Sequence, residues 1–204
     1  MTKYAIRRTP YETHMPRDYA TLPKHQVRRH DRAMDDDAWI RAMLHRVPIG
    51  ALATLHDGQP FINSNLFVYD EQAHCIYMHT ARVGRTQANV EHEQAVCFSI
   101  SEMGRLLPAD VALEFSVEFA GVTAFGAATI IETPEEARHA LQILLDKYAP
   151  HLQPDRDYRP TTDEELARTT VFRIDIEAWS GKKKEVAPDF PGAYRYGDFQ
   201  RHKS

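Results

Sequence analysis

Ile49-Gly50-Ala51-Leu52-Ala53-Thr54-Leu55-His56-Asp57-Gly58-Gln59-Pro60-Phe61-Ile62-Asn63-Ser64-Asn65-Leu66-Phe67-Val68-Tyr69 sets two extended stretches around a turn. Ile49 to Leu55 and Phe61 to Tyr69 read as strands. Between them Asp57-Gly58 suits the two-residue hairpin turn whose central residues both need φ > 0. Two strands joined this tightly are antiparallel, so the stretch starts a meander and not a βαβ unit.

Outward from that hairpin the pattern continues. Cys75 to His79 and Ala95 to Ile100 read as further strands. From Val111 to Ile131 a long run places Leu113, Phe115, Val117 and Phe119 on one side and Glu114, Ser116 and Glu118 on the other. Gly121 and Gly126 then disturb the phase, as bends in a curling sheet do. A last strand runs from Thr169 to Trp179. Helices flank these strands. Asp35-Asp36-Asp37 precedes Trp39, Ile40, Met43, Leu44 and Val47 at helical spacing, and Pro48 stops the run. Thr133-Pro134-Glu135-Glu136 opens the longest predicted helix, with Leu141, Leu144 and Leu145 on its apolar face. Thr162-Asp163-Glu164-Glu165 is a second capping box. The fold expected is mainly β: a six-stranded antiparallel split barrel with peripheral helices.

The chain has 204 residues, 43% hydrophobic and 26% charged, which is ordinary globular usage. At ~150 residues per domain this predicts one domain with appendages. The formal charge of −4 is uneven: residues 1–33 carry eight Lys/Arg against three acids, a net +5 against −9 elsewhere. That prolyl, basic stretch reads as an extended arm over a folded body or a partner subunit. The expected division is an arm over 1–33, a barrel domain over 34–185 and a tail over 186–204. No apolar run reaches membrane-spanning length and no leader pattern is evident, so the expectation is a cytoplasmic protein with no membrane or nucleic-acid partner. Cys75 and Cys97 are read as two reduced thiols. The eleven histidines form no His-x-x-x-His pair and the cysteines no Cys-x-x-Cys, so a zinc protein is the lowest reading and no metal ligand is assigned.

One local absence stands out. Thr80 to Val90 contains no acid, while Arg82, Arg85 and the Thr86 hydroxyl stand around Gly84 where a helix begins. Free amides at a helix start, with two cations beside them, suit a phosphate; the alternative is a pair of surface arginines bound to Glu91 and Glu93. His79 ends the preceding strand and is the catalytic candidate, as a donor to cofactor or substrate. Asn63, Ser64 and Asn65 are unusual in a strand, where Asn is depleted. Glu114 and Glu118 either line a pocket or occupy an exposed sheet face.

In order and spacing, Gly50 to Thr54, Asp57 to Pro60, Asn65 to Tyr69, Ile76 to Arg85 and Ala95 to Ser99 resemble the pyridoxamine 5′-phosphate oxidase-like FMN-binding split-barrel family. The likeness covers about residues 27 to 185 and is greatest to its nitroimidazole-resistance group, down to the lead-in Val27 to Met34. The resemblance implies a homodimer with two FMN molecules at the subunit interface. It implies that Asn63, Ser64, Asn65, Leu66 and Phe67 back the isoalloxazine ring, and that Met78, His79, Thr80 and Ala81 border the ring and ribityl chain. Arg82, Gly84, Arg85 and Thr86 would hold the phosphate. The partner subunit would close the site near Cys97 and Ser99, and Trp179 and Lys182 match a further contact. Gly181-Lys182-Lys183-Lys184 replaces the Arg-x-His element of true pyridoxamine phosphate oxidases, which disfavours vitamin B6 oxidation. The expected activity is reduction of a small, nitroaromatic-like electrophile with electrons from NAD(P)H. No Gly-x-Gly-x-x-Gly is present, so NAD(P)H is expected to bind only transiently. The rival expectation is a binding or sensor module holding flavin, haem or a deazaflavin without turnover, with His79 a candidate haem ligand.

Overall fold

The computed structural model describes residues 21–199. The first 20 residues of the expected arm and residues 200–204 of the expected tail lie outside the described residues. Eight antiparallel strands make one sheet: β1 (Ala33–Met34), β2 (Ile49–His56), β3 (Gln59–Leu66), β4 (Val68–Asp70), β5 (Cys75–Ala81), β6 (Ala95–Leu107), β7 (Ser116–Ile130) and β8 (Thr169–Lys184). Their order is β3-β2-β6-β7-β8-β5-β4, with β1 paired to β8. Among the described residues four α-helices accompany them: α1 (Asp37–Arg46), α2 (Arg85–His92), α3 (Pro134–Tyr148) and α4 (Asp163–Leu166). The fold is a mainly β split barrel whose sheet does not close.

The local chemistry expected of the helices holds, with one exception. Asp36 caps α1, its carboxylate accepting from the amides of Ala38 and Trp39. Thr162 and Glu165 complete the reciprocal capping box of α4. Thr133 starts α3 without capping its amides through the side chain.

The strands differ from the expected six by the addition of β1 and in three other places. Phe61 to Tyr69 is two strands, because the Tyr148 hydroxyl takes the Phe67 backbone N–H (3.0 Å) at the break between β3 and β4. The expected run from Val111 begins as a strand only at Ser116; Ala112–Glu114 form a 3-10 turn and Leu113 is 90% exposed, so the alternation proposed for 113–115 does not occur. In exchange, β6 and β8 run further than expected, to Leu107 and Lys184. The register shifts between Met103 and Leu106, and again between Phe125 and Gly126, curl the two long ladders.

The curled sheet and α1 enclose one core, with Leu52, Phe67, Phe98 and Phe172 at its centre and Phe67 edge-on to Phe98. A smaller cluster lies under α3, where Ala140 and Leu144 meet Val68, Cys75 and Tyr77. Lys147 and Tyr148 end α3 as a polar plug. Lys147 Nζ donates to the Leu44 and Val47 carbonyls at the end of α1 and lies 3.6 Å from the centre of the Phe67 ring. Both cysteines are free, and burial pushes the Cys75 thiol up to about 11. Within the expected tail, Leu106 and Tyr194 exchange backbone hydrogen bonds, so this segment docks on β6. No described helix is long and apolar enough to cross a membrane.

Candidate functional site

The sheet path ends at β3 and at the short β4, which pairs only Cys75 to Tyr77 of β5, so the rest of β5 lies beside β3 without a shared ladder. Side chains bridge them instead. Asn63 donates to the Thr86 hydroxyl at the start of α2 (3.2 Å), and Asn65 donates to the His79 carbonyl (2.7 Å). Asn63, Asn65, His79 and Thr86, all expected at the site, are thus brought together at the split. Two asparagines suit that place because each side-chain amide satisfies a group that no neighbouring strand can reach.

His79 lies on the same sheet face as Cys75 and Tyr77, the side covered by α3. Its Nδ1 is buried without a hydrogen-bond partner, and burial lowers its pKa below the ordinary histidine value, so the ring is neutral at pH 7. Thr80 turns its hydroxyl to the Ala81 carbonyl.

Gly84 precedes α2 with extended backbone, and no side chain caps the helix. Arg82 is committed elsewhere, donating to the Ala167 carbonyl at 2.9 Å. Arg85 is exposed, and among the described residues its guanidinium has no hydrogen bond or ion pair. Neither arginine pairs with Glu91 or Glu93; Glu91 accepts from Gln87 instead. The amides of the first turn and the Arg85 guanidinium therefore present donors to an anion.

The remaining expected residues separate. Phe67 and Met78 are wholly buried in the core, so neither offers a side chain to a ligand. Ser64 and Leu66 point to the opposite face of β3 from Asn63 and Asn65. Register places Cys97, Ser99 and Lys182 on that same open face. Trp179 belongs to neither group: it packs on the core beside α1, and its indole donates to Asp37. Glu114 is exposed, while Glu118 is held by Arg105 and by the Arg105 and Val186 amides.

A cleft of about 870 Å³ opens between α2, α4 and the ends of β7 and β8. Arg82 on its rim is the one expected site residue it touches, and Glu91, Glu132 and Asp163 line it. Three carboxylates against one engaged arginine repel a phosphate, so the helix start, not the larger cavity, is the better anion site. Sequence reading missed Asn89. This side chain is fully buried, donates to Thr54 (2.9 Å) and leaves Oδ1 unpartnered. Its place on the inner face of α2 follows the helical period, but its partner could not be found from spacing.

The same fold occurs in solved structures of other proteins. The structure resembles the FAD and heme binding protein of Mycobacterium smegmatis (TM-score 0.69, 21% identity, covering 78% of this chain and 76% of that one). It resembles a flavocytochrome from Azotobacter vinelandii to the same degree (TM-score 0.69, 23% identity, 88% and 87% covered). A Bacteroides thetaiotaomicron protein described as a 5-nitroimidazole antibiotic resistance protein also matches (TM-score 0.62, 20% identity, 75% and 90% covered). At these identities the likeness establishes the fold. No curated protein matches the sequence. A family model described as pyridoxamine 5′-phosphate oxidase matches residues 36–183, from the cap of α1 through nearly all of β8 and including every element of the split. A match over that much of the chain, on a barrel of this topology, places the protein in the pyridoxamine 5′-phosphate oxidase family.

Proposed function

We propose that this protein binds FMN, works as a homodimer and passes electrons from NAD(P)H to a small electrophile, with nitroaromatic compounds the first class to try. The observation that carries the reading is the start of α2: an uncapped helix end in an acid-free loop, with the Arg85 guanidinium unengaged among the described residues. A phosphate dianion supplies the acceptors those donors lack. The residues present fit a flavin there, since the buried, unpartnered Nδ1 of His79 is a second polar group that a bound molecule can satisfy.

A bound flavin supplies the hydride and electron chemistry. Arg85 and the α2 amides fix one end of it. Asn63 and Asn65 hold β3 against β5 and α2, so the wall beside the cofactor keeps its position and excludes water. His79, neutral at pH 7, adds no charge near the ring. On the open sheet face Ile49, Leu55, Ile62, Leu66 and Met103 are exposed among the small residues Ala51, Ala53 and Ser99. An apolar face of this kind, lacking bulky side chains at its centre, supports close approach of a second copy. Gly181-Lys182-Lys183-Lys184 gives no Arg-x-His grip for a substrate phosphate, so vitamin B6 oxidation is not the proposed reaction.

FAD is the competing cofactor, because the Mycobacterium smegmatis protein is described as binding it. Protein purified without added flavin should be yellow, and chromatography of the heat-released flavin should give FMN. Arg85→Ala should weaken flavin binding at least about tenfold, the worth of one charge-assisted hydrogen bond. Anaerobic NADH or NADPH should bleach the flavin, and a nitroaromatic should restore the colour. Protein that is colourless and takes up no flavin would end the proposal. Bound flavin that neither nicotinamide bleaches would leave a binding module, and a Soret band would mean haem.

A further inference from the structure

Three side chains with metal-ligand chemistry meet away from the split. His56 and Asp57 lie at the β2–β3 turn, and His92 is the last residue of α2. His92 Nε2 is 3.3 Å from Asp57 Oδ1, and His56 Nε2 is 3.6 Å from Asp57 Oδ2. One ligand atom from each residue lies within 4.8 Å of the other two. The imidazole rings are 4.2 Å apart at 42°, edges turned toward the same carboxylate.

Those separations are informative. Both exceed the usual ~2.7–3.2 Å of an N–H···O bond. The His92–Asp57 separation matches the edge of a tetrahedron around an ion bound at ~2.0–2.1 Å, about 3.3 Å, while His56, 3.6 Å from the other carboxylate oxygen, needs a small side-chain shift to join it. The backbone sets them without a metal. Asp57 (φ 48) and Gly58 (φ 77) form the primed turn that the sequence predicts, which fixes the direction of the Asp57 carboxylate. His92 stands at the negative end of the α2 dipole, where a cation is favoured. The two segments, His56 to Gln59 and Glu91 to Gln94, contain no lysine or arginine to compete for the site.

We propose that His56, Asp57 and His92 form a binding site for a divalent transition-metal ion of the zinc class, clipping the β2–β3 hairpin to the end of α2. Two imidazoles and one carboxylate select Zn²⁺, Co²⁺, Ni²⁺ or Cu²⁺ over Mg²⁺ and Ca²⁺, which require oxygen shells. Asp57 and His92 are solvent-facing, so water fills the fourth position. With the metal on Nε2, His56 keeps a buried Nδ1 that has no acceptor. A missing outer partner of that kind costs ~10–100-fold in affinity, so binding should be on the order of micromolar. The ion joins the hairpin that carries Asn63 and Asn65 to the helix that carries Arg85 and Thr86. The eight residues of α2 put it about 12 Å from that phosphate-facing end.

The test uses the full chain without an affinity tag, stripped of metal by a chelator that is then removed. Titration with ZnCl₂ should show one saturable site, and Co²⁺ should give the intense visible bands of a tetrahedral complex. Saturating Zn²⁺ should raise the melting temperature by roughly 5 °C, and Mg²⁺ should not. His56→Ala, Asp57→Asn and His92→Ala should each weaken Zn²⁺ binding at least tenfold and abolish the Co²⁺ bands. Because these are surface positions, the metal-free variants should melt close to the metal-free wild type, and His92→Gln checks that point with the least change of shape. His139→Ala, in a side chain already paired with Asp70, should bind Zn²⁺ like the wild type. Wild-type protein that shows no saturable Zn²⁺ binding, or variants at 56 and 92 that bind at full strength, would overturn the proposal. So would a stabilisation by Mg²⁺ equal to that by Zn²⁺. None of these readouts requires flavin.

Discussion

Glu118 lies near the start of β7. It sits on the polar side of a strand, where exposed carboxylates are common, yet the Arg105 guanidinium grips it from Nε and Nη2, both at 2.8 Å. Arg105 also donates to the Val186, Ala187 and Pro188 carbonyls, so the pair ties the tail to β6 and β7. The Arg105 hydrogen bonds, with the Val186 amide, hold the Glu118 carboxyl down to about 2 from the usual 4.5. The unfolded chain then binds a proton more readily than the folded one. The stabilisation is complete above pH 4.5 and fades as the pH falls toward 2. Glu118→Gln should lower the urea midpoint at neutral pH, with the gap to wild type closing across that window; a gap unchanged at the acid end would refute it. Asn63 and Asn65 show the converse case. Their rarity in strands marked them as special, but their bonds to Thr86 and His79 cross the barrel split, and such long-range partners have no sequence spacing.

At the scale of elements, local signals were legible and tertiary ones were not. The Asp57-Gly58 turn, the Asp36 cap and the α4 capping box all lie within a few residues of the groups they serve. The break between β3 and β4 depends on Tyr148, 81 residues from Phe67, and nothing near Phe67 announces it. The glycines of β7 fall between these cases. Their loss of phase was visible, while the reason is a close approach: a Cβ on Gly126 would lie 1.8 Å from the Asp175 carbonyl oxygen, beside the register shift between β7 and β8. A backbone atom cannot move aside as a side-chain tip can. Gly126→Ala should therefore cost about 3 kcal/mol or more, read as a lower urea midpoint at unchanged slope. A loss below about 1 kcal/mol would mean that the bulge relaxes freely.

For the whole molecule, the family and the barrel were readable because order and spacing of strands survive where individual contacts do not. The open face was not, since small residues such as Ala51, Ala53 and Ser99 give the same pattern in a covered sheet as in an uncovered one. That face is where the homodimer proposal can be tested without reference to flavin. Ile62 is 65% exposed midway along the edge strand β3, with Ile49, Leu55 and Leu66 on the same face of the β2–β3 hairpin. Ile62→Glu touches no core residue, so the melting behaviour of the isolated subunit should change by no more than about 0.5 kcal/mol. In a dimer joined through this face the new carboxylate is buried without a partner. The dissociation constant should then rise at least about 100-fold, equivalent to ~2.7 kcal/mol. Light scattering across a dilution series should give dimer for the wild type and monomer for Ile62→Glu at micromolar protein. A variant that stays dimeric would move the interface to another surface, and a monomeric wild type would remove the homodimer from the proposal.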